Sequence, residues 1–247
     1  MAISMEDVSN NQRRQMPVIL ILDTSGSMSD EGYGNGGITQ LNRSIRGMLS
    51  DFKHLRAASV EFCFAVVTFG GDSARIYQDY TPLETFAQNW KNMSANGMTP
   101  LGDALDKAKQ IIEDKTKLSP RSYRPTVILI SDGYPTDDWE NSMDNFTKDG
   151  RTAKCDRFVV TVAGEATDVL QKFVDNPKTH MFNAENASDI LEFMRFMSSS
   201  IAQSSTSNNP NKKEPIKDLQ EAVAEQEAID EDWGEDVILD DIMNEDI

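Results

Sequence analysis

Val18-Ile19-Leu20-Ile21-Leu22-Asp23-Thr24-Ser25-Gly26-Ser27 sets five aliphatic residues directly before a carboxylate, two serine hydroxyls and a glycine. An apolar run without alternation reads as a strand buried on both faces, the habit of parallel sheets covered by helices. The polar residues that follow it then emerge at the carboxyl edge of the sheet, where open α/β folds bind their ligands.

The segments on either side repeat the pattern. After a glycine-rich loop, a helix is expected from about Ile38 to Leu55, and a second strand from about Val60 to Phe69. Gly70-Gly71-Asp72 is a turn signal, so Arg75 to Gln78 is expected to return as a short antiparallel edge strand. Between Pro100 and Thr116 the residues Leu101, Ala104, Leu105, Ala108, Ile111 and Ile112 share one helical face. A strand over Thr126–Ile130, a helix from Trp139 to Lys148 and a strand over Arg157–Val162 come next, then a short helix and a strand near Met181-Phe182. A nearly all-apolar helix from Ala187 to about Ala202 completes the expected core. The fold class is therefore α/β, a doubly wound and mostly parallel sheet with helices on both faces.

Composition bounds the rest. With 247 residues and 38% hydrophobic content, the chain suits one ordinary domain and a tail. The boundaries read as a flexible N-terminus over 1–14, the domain over 15–203, a linker over 204–213 and an acidic tail over 214–247, helical in part from Pro215 to about Ile229. Of the net charge of −17, residues 208–247 carry 14 acids and 3 bases, which leaves −6 for the remainder. A negative body without a lysine and arginine cluster repels phosphate backbones and anionic membranes, so neither nucleic acid nor membrane is an expected partner. Two cysteines in separate apolar settings form no disulfide framework, and no apolar stretch approaches the roughly 18 residues of a membrane helix. A cytoplasmic protein is the expectation. The twin Arg13-Arg14 could suggest an export signal, but the apolar segment after it runs into Asp23 within ten residues and lacks a small-residue cleavage site.

Asp23, Ser25 and Ser27 share one loop, and Ser131-Asp132-Gly133 ends a second buried strand, so Asp132 is expected at the same edge. Thr99 stands immediately before a helix. Oxygen-only donors with just two carboxylates suit a hard cation that keeps some waters, Mg²⁺ or else Mn²⁺ or Ca²⁺. Such a site leaves positive charge on the metal, which favours a carboxylate supplied from outside. These groups are expected at a surface edge, where replacing a hydroxyl by a methyl costs little stability.

The order Asp-x-Ser-x-Ser at 23, 25 and 27, then Thr99, then Asp132, resembles the metal-ion-dependent adhesion site of von Willebrand factor A domains. Further segments are similar to the stand-alone bacterial proteins of the TerY and YegL kind: Val66-Val67-Thr68-Phe69-Gly70, Met98 to Leu105, Tyr123-Arg124-Pro125 and Ser131 to Asp137. The resemblance spans roughly residues 14–207. It implies that the five side chains bind the metal directly or through water, and that the domain has no catalytic activity of its own. It also implies an adaptor in a bacterial stress response of the tellurite-resistance type, with a kinase or phosphatase as the protein partner.

Other readings compete. A phosphohydrolase of the haloacid-dehalogenase kind would use Asp23 as a phosphoryl acceptor beside Mg²⁺, but it needs a second aspartate where Ser25 stands. An aspartic-protease loop would place glycine nearer to Asp23. Gly32-Tyr33-Gly34-Asn35-Gly36-Gly37 fits a dinucleotide fingerprint only formally, because it starts ten residues past the strand. Asp103, Asp137 and Asp138 are candidates for the rim of the site. The tail intersperses Trp233, Ile238, Leu239, Ile242 and Met243 among its acids, a composition that fits a docking motif or a carboxylate returning to the chain's own metal.

Overall fold

The ten residues Arg14–Asp23 form β1 at the heart of a six-stranded sheet, with β2 (Val60–Gly70) on one side and β4 (Thr126–Ser131) on the other. A computed structural model describes residues 13–29, 37–54, 60–163, 166–185, 187–207, 209, 211, 216 and 218–232. The strand order is β3-β2-β1-β4-β5-β6, where β3 is Ser73–Pro82, β5 Asp156–Val162 and β6 Met181–Ala184. Only β3 runs antiparallel. The loop over 30–36, with most of the formal glycine fingerprint, lies outside the described residues.

The pleat of β1 divides the core in two. Val18, Leu20 and Leu22 face α1 (Gly37–His54) and α7 (Ala187–Thr206), whereas Ile19 and Ile21 face α3 (Leu101–Glu113) and α4 (Glu140–Lys148). Residues two apart share a face, so one continuous apolar run feeds both layers. On the first layer α1 approaches α7 closely enough that a Cβ at Gly47 would lie 3.2 Å from Leu191 Cδ1. Pro17 is tolerated in this central strand because the ladder between β1 and β4 starts one residue later, at Val18.

Several elements differ from expectation. β3 is ten residues long rather than four, and a six-residue α2 (Leu83–Gln88) follows it, buried through Leu83, Phe86 and Ala87. Two four-residue helices, α5 (Thr167–Leu170) and α6 (Pro177–His180), precede β6. The serine-rich end of α7 stays helical to Thr206, with the Ser204, Ser205 and Thr206 hydroxyls turned back to donate to the carbonyls of Ser200, Ala202 and Gln203.

The first part of the tail is a packed element. Helix α8 (Leu219–Asp232) buries Leu219 and Val223 in the layer of α1 and α7. Its Gln220 side chain accepts from the Asn183 backbone N–H (3.0 Å) and donates to the Asn183 carbonyl (3.2 Å). Those are the outward groups of the edge strand β6, which would otherwise be open to another strand.

Candidate metal centre

The ladder registers align the site before any loop is considered. Asp23 follows Leu22, which pairs with Ile130, so Asp23 sits level with Ser131, and Ser131 pairs with Thr161. The carboxyl ends of β1 and β4 therefore deliver Asp23 and Asp132 side by side. The Ser25 amide donates to Asp23 Oδ1 (2.8 Å) and the Ser131 hydroxyl donates to Asp23 Oδ2 (2.5 Å). Ser25 Oγ and Ser27 Oγ are 3.0 Å apart, and Ser27 Oγ donates to Asp132 Oδ1 (2.8 Å). Asp23, Ser25, Ser27 and Asp132 thus form one hydrogen-bonded cluster of oxygens.

Thr99 arrives by a different route. Gly97 adopts φ +69°, and the Gly71–Gly97 approach is so tight that a Cβ on Gly97 would lie 2.4 Å from Gly71 Cα. Met98 N–H donates to Gly71, Gly71 N–H to Asn96, Asn96 N–H to Thr24 and Gly26 N–H to Gly97, which laces the 96–98 segment across the end of β1 and the β2–β3 turn. Thr99 then exchanges backbone and side-chain bonds with Thr136, and its Oγ1 converges with Ser27 Oγ on the space beside Gly133, 3.9 and 3.8 Å from where a Cβ would sit. All five residues named from the sequence are brought to one place.

Burial departs from expectation. Asp23 is 0% exposed, Ser25 1%, Asp132 2% and Thr99 7%, so these four lie beneath the edge rather than on it, while Ser27 is half-buried. The laced segment and the 133–137 loop close over the strand ends. Burial pushes the Asp23 carboxyl up from the ordinary 3.8 to about 7; its hydrogen bonds from Ser131 and Ser25 oppose that shift, and the nearby Asp132 charge adds to it. Among the described residues no lysine or arginine pairs with Asp23. Two adjacent buried carboxylates ringed by hydroxyls are an expensive arrangement for a bare protein and a suitable one for a hard divalent cation, which relieves both the desolvation and the repulsion.

Two contributors were not named from the sequence in these roles. Ser131 holds Asp23, and its position at the strand end was visible. Asp137, expected at the rim, instead caps α3: its Oδ1 accepts the Gly102 amide (3.1 Å) and its Oδ2 the Asp103 amide (3.0 Å). The start of α3, Pro100-Leu101-Gly102, has no local capping side chain, and that lack was the available signal. Asp103 Oδ2 accepts the Ala74 amide (2.8 Å), and Oδ1 pairs with Lys107 (2.9 Å), so Asp103 ties α3 to β3.

A doubly wound sheet whose carboxyl edge carries this cluster defines a von Willebrand factor A architecture. The family model for the von Willebrand factor type A domain matches residues 18–195, and the chain belongs to that family. No curated protein sequence matches it significantly. Among solved structures it is similar to a von Willebrand factor type A protein from Catenulispora acidiphila, at 17% identity and TM-score 0.59 over 76% of this chain and 42% of that one. It is also similar to proximal thread matrix protein 1 of the mussel byssus, solved with a zinc-occupied metal-ion-dependent adhesion site, at 18% identity and TM-score 0.56 over 77% and 46%. The pilus adhesin SpaC of Lactobacillus rhamnosus GG matches at 12% identity and TM-score 0.58, over 76% and 31%. The chain spans less than half the length of these three, and at such identities they establish the fold alone. Among the described residues no helix is long and apolar enough to cross a membrane.

Proposed function

We propose that Asp23, Ser25, Ser27, Thr99 and Asp132 hold a divalent cation, Mg²⁺ or its substitutes Mn²⁺ and Ca²⁺, and that the chain uses it to bind a protein partner presenting a carboxylate. The observation that carries this reading is the cluster itself, in which two buried carboxylates stand together among three hydroxyls. With only two carboxylates around it the cation keeps more of its positive charge than at a site with three or four acids, so an incoming carboxylate is better received. The bound metal would act as the electrostatic anchor, and the surrounding hydroxyls fix its position.

The segments similar to the TerY and YegL kind support an adaptor in a bacterial stress response of the tellurite-resistance type, with a kinase or phosphatase among the partners. Cys63 and Cys155 are buried free thiols, which supports a cytoplasmic setting. The phosphohydrolase reading gains nothing from the structure, since both Asp23 oxygens accept hydrogen bonds in a fully buried setting. Calorimetric titration with Mg²⁺ and Mn²⁺ tests the site, and a pull-down repeated with chelator tests the partner. Metal binding that survives Ser25→Ala and Thr99→Ala together, or phosphatase turnover that disappears in Asp23→Asn, overturns the proposal.

A further inference from the structure

Met98, Tyr134 and Ile76 are the large hydrophobic side chains exposed among the described residues, at 54%, 56% and 38%. Two of the three flank the cluster: Met98 adjoins Thr99, and Tyr134 is two residues past Asp132. A ligand suited to this rim offers a carboxylate with large apolar side chains beside it. Residues 236–246 of the chain read Asp-Val-Ile-Leu-Asp-Asp-Ile-Met-Asn-Glu-Asp, which meets both requirements.

The fold brings that segment within reach. Asn183 pairs with Thr161, which pairs with Ser131, the neighbour of Asp23, so the strand residue gripped by Gln220 lies in the register row of the metal centre. Three strand spacings and one side-chain contact put Gln220 about 20 Å from Asp23. From Gln220 to Asp232 the helix covers about 18 Å. Even if α8 pointed straight away from the site, about 38 Å would separate Asp232 from Asp23, and 13 extended residues to Glu245 span about 43 Å. The body outside the tail is itself negative, so general electrostatics oppose this association and only a local cation favours it.

We infer that the C-terminal segment 236–246 is an intramolecular ligand of the metal centre, placing a carboxylate on the cation and apolar side chains against Met98 and Tyr134. It rests on the metal-dependent binding proposed above. An external partner must then displace the segment, so the chain regulates its own binding. Metal and segment reinforce each other reciprocally, because each binds better when the other is present.

The test uses the full chain with Asp236→Asn, Asp240→Asn, Asp241→Asn, Glu245→Gln and Asp246→Asn combined, and Mn²⁺ as the probe. The combined variant binds Mn²⁺ at least about fivefold more weakly than the wild type, within the usual range of coupling between linked sites. A synthetic peptide of residues 233–247 binds this variant with Mn²⁺ and is released by chelator, and Ser25→Ala abolishes that binding. Equal Mn²⁺ affinity of the two chains, or no Mn²⁺-dependent peptide binding, overturns the inference and leaves the metal reading standing. Weakening of the same size in a Ser25→Ala background also overturns it, since the acids would then bind the metal by themselves. A wild-type chain that binds no Mn²⁺ refutes the metal reading and this inference together.

Discussion

Asp23 shows at the scale of one residue why a binding site costs stability. Its carboxyl is raised to about 7 from 3.8, so the folded chain prefers the protonated form. Below the unfolded value both states hold the proton and nothing is lost. Between that value and about 7 the unfolded state has released its proton while the folded state still holds it, so metal-free stability falls steadily as pH rises and levels off above. Asp23→Asn removes this slope and leaves a metal-free chain more stable at pH 8 than the wild type, with metal binding lost; denaturant titrations at several pH values in chelator measure both. A flat wild-type profile would contradict the burial argument. Gly97→Ala has the opposite character. It forces an L side chain into φ +69° and against Gly71 backbone, so it lowers stability by about 2 kcal/mol or more and loosens Thr99. Equilibrium unfolding and the Mn²⁺ affinity of the same variant give the two readouts.

At the scale of elements, what was legible in the sequence was what is local. Val18–Leu22 and Thr126–Ile130 announce themselves through composition, and the polar residues after each must follow the strand to its end, so Asp23 and Asp132 could be placed together. The burial of the site could not be seen, because it depends on the Gly71–Gly97 approach and the 133–137 loop, contacts between segments far apart in the chain. Helix α2 has only six residues, too few for a period to show. Asp137 belongs to the same class of hidden features, since its two hydrogen bonds cross to α3. Asp137→Ala removes the cap, costing about 1 kcal/mol, and frees the segment that carries Thr99. The predicted mark is a weaker metal affinity alongside that modest loss, seen by calorimetry and thermal melting. Asp137→Asn restores part of both, because the amide oxygen still accepts one bond.

For the whole molecule, sheet and tail have to be considered together. The sheet has two edges, and at β6 the outward backbone groups of Asn183 are satisfied by Gln220 while Leu219 and Val223 anchor the same helix in the core. The acidic tail therefore begins as a structural part of the domain, and its charge is attached at a fixed place on it. Replacing Gln220 by alanine leaves the two apolar anchors intact but unseals the strand. The global cost is about 1 kcal/mol or less, because both lost bonds lie at an exposed edge where water replaces them. The local effect is larger: the Asn183 amide, now bonded to water alone, exchanges with solvent much faster than its neighbours in β5, and the chain gains a tendency to pair through β6 as concentration rises. Hydrogen exchange resolved at single amides and sedimentation at two concentrations separate these effects. Unchanged protection at Asn183 would mean that α8 seals the edge by apolar packing alone, without the side-chain amide.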